Sequence, residues 1–481
     1  MWRLAMILPL LLVLGGCVPG DAAPKSKPTT APPLAEYVTR PDLTPPVVDI
    51  TTSRAGMDPG DVVLLARIGD REDGETQGYA LVVDASGEPV WTKRFDDDGT
   101  FPNDLAVQTY RGEPVLTYWH GSSPERGWGD GEYVVLDQSY RQVATVRAGN
   151  GQSADLHDMV ITPRGTALLL CYPTVRGDES VREGVVQEVD IATGRVLFEW
   201  HSIDHVPVSD SAEPLPKDPK KPYDYFHVNS VDEDAAGDLL ISARHTKAIY
   251  KISRRTGEVL WQLGGEHGDF TLDDGAEFAW QHDARWRPGG RISLLDNASN
   301  LDDQGSPSRA LVLQVDERAR TASLVSAFSS PDALTNGSQG SHQLLPSGDS
   351  FVGWGSRPSF TAFDPTGEVL LHGRLPDNTF SYRAKLAPWT GRPTTPPAVA
   401  GRAGDDGTTV HVSWNGATDV SRWRVLAGPS ADRLGVTLEA PRTGFETEIE
   451  LPDPAPFVAV EALDAAGRPL GRSIPTRTTT G

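Results

Sequence analysis

Four histidines, His157, His227, His282 and His342, each open a segment that runs into an apolar strand: DLHDM, YFHVNS, WQHDA and GSHQL. An imidazole so placed can attack as a neutral base or, once protonated, donate to the oxygens of an anion. Asn103 takes the same position one unit earlier, in FPNDLAVQT, so five successive units carry a polar residue there. If these segments are copies of one unit, their side chains converge on a common axis and form a histidine-rich pocket. One strand after His227 comes Ser242-Ala243-Arg244-His245, and Arg244 adds a cation that does not titrate. Strand alternation sends His245 to the opposite side from Arg244, so His245 is expected to be structural.

The elements that must position these residues are read from a second series. Turns with an Asp or Ser before a short loop and a following apolar strand fall at Asp84, Asp137, Asp190, Ser253, Asp316 and Asp364, at intervals of 53, 53, 63, 63 and 48 residues. Such a period in a strand-rich chain is that of propeller blades, each a four-stranded sheet that buries its faces against its neighbours. Between Asp155 and Trp200 the order is a histidine-bearing entry, MVITP, TALLLCY, VVQEVD and RVLFEW, four strands in a meander. The expected fold is all-β: a six-bladed β-propeller over residues 47–392, with Val47 to Phe95 supplying the blade before Asn103. Closure of the ring is open between the N-terminal strand and the late strand SYRAKL, Ser381 to Leu386. The Pro-rich loop from His201 to Tyr225 immediately precedes His227 and is placed near the pocket mouth.

The two ends of the chain differ in composition from this body. Residues 1–16 hold one basic residue, Arg3, and an apolar run too short to span a bilayer, as in a signal peptide. The run ends in LGGC, which resembles the lipobox of bacterial lipoproteins and implies lipidation of Cys17. Residues 17–46 then form a Pro-, Ala- and Thr-rich tether, and the protein is expected outside the cytoplasm, anchored to the cell membrane as a lipoprotein. With Cys17 acylated only Cys171 remains, so no internal disulfide is expected. After Trp389 the chain turns Pro-rich, and residues 393–481 alternate like short strands. They resemble a fibronectin type III module, a small β-sandwich, with Trp414 as its inner tryptophan. A net charge of −22, from 66 acidic and 44 basic residues, argues against nucleic acid and against electrostatic adhesion to anionic lipid. Any attraction for an anion must therefore be local, and membrane contact runs through the anchor.

The HVNS, SARH and QHDA elements in that order, continued by LLDNASN, resemble the arylsulfotransferase family over about residues 47–389. That family consists of six-bladed propellers that move a sulfuryl group from an aryl sulfate to a phenol through a sulfohistidine. The resemblance implies His282 as the sulfuryl acceptor, His157 and His227 as supporting histidines, Asn229 as the amide and Arg244 as the arginine, while the repeat alone adds His342 and Asn103 to the wider pocket. It implies an aryl sulfate and a phenol as partners, and no cofactor and no metal are expected. The chain departs from the best-known bacterial members in lacking their disulfide. Sulfuryl transfer has a loose transition state with charge on the peripheral oxygens and the leaving phenolate, so positioned donors do most of the work. Histidines on one axis would also suit zinc or copper, but Arg244 among the ligands and the absence of a closely spaced histidine pair oppose it. Two other functions fit a propeller. One is a quinoprotein-like oxidoreductase, suggested by the repeated turns that run into Trp91, Trp200 and Trp261, although the chain is short for eight blades and has no adjacent cysteine pair. The other is a non-catalytic surface propeller that binds a sulfated or phenolic ligand or a protein partner.

Overall fold

Each member of the turn series sits between the third and fourth strands of an antiparallel meander. The Asp carboxylate closes the turn: Oδ1 of Asp84 accepts the N–H of Ser86 at 2.8 Å and of Glu88 at 3.1 Å, and Asp137 and Asp364 repeat both bonds. The computed structural model describes residues 32–69, 77–96, 98–125, 127–176, 180–298 and 307–480, so the segment expected to be a signal peptide and Cys17 lie outside the described residues. No helix among the described residues is long and apolar enough to cross a membrane.

Six sheets follow one another along the chain. Their innermost strands are Ala384–Ala387, Phe101–Tyr110, Met159–Ile161, Val228–Glu233, His282–Arg287 and Ser341–Leu344. Neighbouring sheets touch through these strands in cyclic order and the last returns to the first, which makes a six-bladed propeller. Strand Thr166–Cys171 shows why the blades stack. All six of its residues are buried. Leu168 and Leu170 join a core with Val231 and Ile241 of the following blade, whereas Leu169 and Cys171 join Tyr133 and Val135 of the preceding one. Period-two alternation thus feeds two cores from one strand, and the run reads as continuously apolar.

Both candidates for closure are used, at different places. The late strand Ala384–Ala387 pairs with Asp61–Ile68 and becomes the inner strand of the first blade. The N-terminal strand Asp49–Ser53 pairs with Val369–Arg374 and becomes a fifth, outer strand of the last blade. The segment from Val47 to Phe95 is therefore shared by two blades and does not form one by itself.

The late strand also delivers Arg383 to the axis, fully buried. Its Nη1 donates to Asp104 at 3.1 Å and to Asp158 at 2.7 Å, and its Nη2 donates to the carbonyl of Asn229 at 3.0 Å and lies 3.5 Å from Asp283. Each of these aspartates directly follows the polar entry residue of its blade, Asn103, His157 or His282. Arg285 donates to Asp158 at 2.8 Å and Asp283 at 2.9 Å, and Lys385 to Asp104 at 3.3 Å, so three cations face three carboxylates. Burial alone would raise Asp158 and Asp283, but Arg285 and Arg383 overcome it and hold both below the usual carboxylate range.

After the linker, Ala398–Ala403, Thr408–Ser413, Glu446–Leu451 and Thr479–Thr480 form one sheet. Arg422–Ser430, Arg433–Pro441, Phe457–Leu463, Pro469–Arg472 and Thr476–Arg477 form the other. The tryptophan between them is Trp423, 1% exposed, and not Trp414 as expected. Trp414 follows the end of its strand, where alternation no longer directs it inward, and its indole donates to the carbonyl of Thr395 at 2.7 Å. Asn415 clamps both backbone groups of Thr92 at 2.9 and 2.8 Å, so the sandwich is docked on the first blade.

Replacing Arg383 with Met should leave the axial carboxylates without their shared cation and lower the stability by about 3–5 kcal/mol, the usual loss when one partner of a buried pair is removed. Urea unfolding followed by tryptophan fluorescence would show this as a lower midpoint. An unchanged midpoint would mean that the hub does not hold the ring.

Candidate active site

In an antiparallel pair the start of the first strand lies beside the end of the second, so one end of every blade collects both. His157, His227 and His282 stand at starts of inner strands, whereas Tyr172, Arg244, His245 and Asn297 follow the ends of second strands. They meet at one mouth. The His157 ring lies edge-on to His227 at 5.0 Å, and His227 stacks on His245 at 4.4 Å. Tyr172 and Tyr382 flank His157 at 5.4 and 5.8 Å. Arg244 lies over Trp280 with its guanidinium carbon 4.8 Å from the ring centre. A small flap of strands Thr174–Arg176, Ser180–Arg182 and Tyr223–Asp224 carries Arg182, whose guanidinium carbon is 3.9 Å from the Trp128 ring. The loop from His201 to Tyr225 reaches this mouth, with Glu213 at 3.7 Å from His245.

The three principal imidazoles are backed differently. Nδ1 of His157 donates to Asp155 at 2.5 Å, and Nδ1 of His227 to Asp224 at 2.5 Å. Asp155 is itself held by the N–H groups of His157 at 2.9 Å and Gly129 at 2.8 Å. His282 has a neutral partner, with its Nδ1 2.7 Å from Oδ1 of Asn297. The orientation of that amide follows from its other bonds: Nδ2 of Asn297 donates to the carbonyls of Asn336 at 3.2 Å and Gln339 at 3.0 Å. Oδ1 must then accept, so Nδ1 of His282 carries the proton and Nε2 carries the lone pair. The N–H of Gln339 donates to that lone pair at 3.2 Å.

Burial pushes His282 well below its ordinary value, and Arg244, His157 and His227 push the same way against the Asn297 hydrogen bond. Burial likewise drives His227 well down, helped by His157 and Arg244, and lowers His245 to about 3. All three shifts favour the neutral ring. The backbone around them is strained: His227, Lys247, Trp280, Asp283 and Gln339 all have positive φ, between 52° and 70°. Bulky residues in that region persist where the surroundings over-determine them, which is common at functional sites.

Of the residues singled out in the sequence, His157, His227, His282 and Arg244 come together. Asn229 lies among them fully buried, but its amide donates to the carbonyl of Gln281 at 2.7 Å, fastening the residue before His282. Asn103 makes the same bond to Leu156, before His157, at 3.0 Å. His342 is not brought to the cluster. Its Nδ1 is held by the carbonyl of Leu311 and its Nε2 by Ser350, both at 3.0 Å, between blades. His245 is in the cluster, contrary to expectation, because the strand ends at Ala243 and alternation stops there. Asp155, Asp224, Asn297 and Tyr382 were not anticipated. Asn297 had a signal, since LLDN places it one strand after QHDA as SARH places Arg244 one strand after HVNS.

Asp224, His227 and His245 offer ligand atoms within 4.8 Å of one another, close enough for a metal ion. However, Asp224 already takes both Nδ1 protons, through its carboxylate for His227 and through its carbonyl for His245 at 2.5 Å. Arg182 and Arg244 both act electrostatically on Asp224. Both guanidiniums oppose a cation at that place.

The arylsulfotransferase (ASST) family model matches residues 106–375, more than half of the chain. No curated protein matches. Among solved structures, a protein of unknown function from Bacteroides caccae is similar at 14% identity, covering 68% of this chain and 98% of that one, with a TM-score of 0.41. Kuenenia stuttgartiensis hydrazine synthase is similar at 13% identity, with coverage of 60% and 73% and a TM-score of 0.33. A catalytically inactive virginiamycin B lyase from Staphylococcus aureus, solved with quinupristin, is similar at 7% identity, with coverage of 76% and 96% and a TM-score of 0.35.

The amide backing of His282 has a direct spectroscopic consequence. In ¹⁵N spectra of the imidazoles, His282 should remain neutral and Nδ1-protonated from pH 7 to pH 5, where a free imidazole takes up its proton. Asn297→Asp should stabilise the imidazolium and bring its titration upward. A wild-type His282 that titrates near the ordinary imidazole value would refute the assignment.

Proposed function

The chain belongs to the arylsulfotransferase family, and from that premise we propose that it transfers a sulfuryl group from an aryl sulfate to a phenol through a sulfohistidine at His282. The observation that carries this reading is the contrast in backing: a neutral amide behind His282 and carboxylates behind His157 and His227. A nucleophile needs a free lone pair, whereas a group that meets developing negative charge needs a stabilised proton.

In the first half-reaction Nε2 of His282 gives up the Gln339 N–H and forms a bond to sulfur as the bond from sulfur to the aryl oxygen breaks. The electron pair leaves with the phenolate. A proton on His157 or His227, stabilised by Asp155 or Asp224, passes to that oxygen. Arg244 holds the peripheral oxygens, which carry the spread charge of a loose transition state. In the second half-reaction the acceptor hydroxyl returns its proton to the same histidine as its oxygen bonds sulfur, and the nitrogen–sulfur bond breaks. The neutral His282 is restored. The lowered proton affinity of His227 fits this scheme, because a bound sulfate would supply the negative charge that draws a proton in.

Two measurements test the reading. Double-reciprocal plots at several acceptor concentrations should be parallel, and incubation with donor alone should add an acid-labile sulfuryl group to the peptide containing His282, absent from His282→Ala. Intersecting lines, or a fully active His282→Ala protein, would refute the covalent route; binding without turnover would favour the surface receptor. Arg244→Lys should lower kcat/KM by about 10- to 100-fold, because a point charge does not reproduce the two-pronged grip on sulfate oxygens. Unchanged kinetics in that variant would make Arg244 a structural residue.

A further inference from the structure

We propose that Lys247, beside Trp280, forms a subsite for an anionic substituent on the substrate's aromatic ring, so that the phenols taken best carry a carboxylate. The inference rests on the sulfuryl-transfer reading and names the substrate class for it.

Lys247 ends the turn that begins with Arg244 and is half-buried. Its Nζ lies 4.8 Å from the centre of the Trp280 ring, and Arg244 reaches the same ring at 4.8 Å. Two like charges share one indole, an arrangement that a bound anion would relieve. The nearby carboxylates are engaged elsewhere: Asp224 holds His227, and Glu213 faces His245 and acts on Arg244. Among the described residues Lys247 has no carboxylate partner within ion-pair distance. In a chain with 22 more acidic than basic residues, an uncompensated ammonium at the site mouth is a feature to be explained.

Further donors at the same place lack acceptors. The indole N–H of Trp280 and Nε of Arg244 are buried without a hydrogen-bond partner. Buried donors in native proteins are nearly always satisfied, and a group left open in a site marks a place for a ligand's acceptor. Lys247 and Trp280 are both held at positive φ, 52° and 55°, so the backbone that presents the ammonium and the indole is itself constrained. Trp280 is tied to the reacting centre, because its carbonyl accepts from Nδ1 of His282 at 3.2 Å.

A sulfuryl group bound against His282 uses Arg244 and the histidines. It leaves the ammonium and the indole N–H for a second acceptor on the same molecule. A carboxylate on the ring meets that need with a charge-assisted hydrogen bond. In a double-displacement reaction donor and acceptor occupy one ring site in turn, so the same preference extends to the leaving phenol.

The test compares 4-hydroxybenzoate with its methyl ester, which has nearly the same shape and no charge. In the full-length protein kcat/KM should favour the acid over the ester by about tenfold or more, the worth of one hydrogen bond to a charged group. Lys247→Met should bring the ratio close to one, and Lys247→Arg should keep most of it. Quenching of tryptophan fluorescence by each phenol without donor gives the same comparison as a binding ratio. If no donor supports transfer but the binding preference is present and is lost in Lys247→Met, the subsite stands and the sulfuryl-transfer reading falls. Equal affinity for acid and ester in the wild type, or a preference that survives Lys247→Met, would overturn the proposal.

Discussion

The contact of Arg383 with Asp104, Asp158 and Asp283 holds the remainder of the site in place. Six blades that each bury their faces on their neighbours have no intrinsic reason to stop at a closed ring of fixed phase. A buried cation that must satisfy carboxylates from three blades at once supplies that reason. The network is demanding because an unpaired charge at this depth is strongly unfavourable, so three cations and three carboxylates must arrive together. Since Asp158 and Asp283 directly follow His157 and His282, the hub that ties three blades together also fixes where those imidazoles start. The amides of Asn103 and Asn229 repeat the principle one step outward, each fastening the residue before a histidine of the next blade.

On this frame one side-chain type is placed in several electrostatic settings. His342 has both nitrogens spent between blades, and burial with the neighbouring Arg287 lowers it to about 4. His157 and His227 have carboxylates behind them, and His282 has an amide whose orientation is decided by the loop from Asn336 to Gln339. Environments that separate the proton affinities of like groups are how a site assigns acid, base and nucleophile.

Much of the architecture was legible because it depends on repetition. The turn aspartates close equivalent turns and the entry residues occupy equivalent strand starts, so spacing alone aligned them. What escaped depends on three-dimensional closure or on irregular backbone. Nothing local in Ala384–Ala387 says that it pairs with Asp61–Ile68, because that pairing spans almost the whole propeller. His245 was misplaced by applying alternation one residue beyond the end of its strand, and Trp414 was misplaced for the same reason. Asp155 and Asp224 carry no pattern of their own. They are defined by the imidazole they face, two and three residues away, across a turn.

The chain as a whole is strongly acidic while Arg182, Arg244 and Lys247 stand at the site, and distance settles which of these charges an anion meets there. At physiological ionic strength exposed charges are screened over roughly 8 Å, so the acidic exterior contributes little inside the mouth. Arg182 is buried and Arg244 half-buried there, each with an aromatic ring against it, where screening is weaker and an ion's field is stronger than in water. Long-range attraction of an anion to this protein is therefore poor, and recognition is left to contacts made after arrival. Under that constraint, donors that are already oriented matter more than total positive charge. The strained backbone at His227 and Trp280 follows from the same requirement, since it keeps those donors in place before any ligand is present.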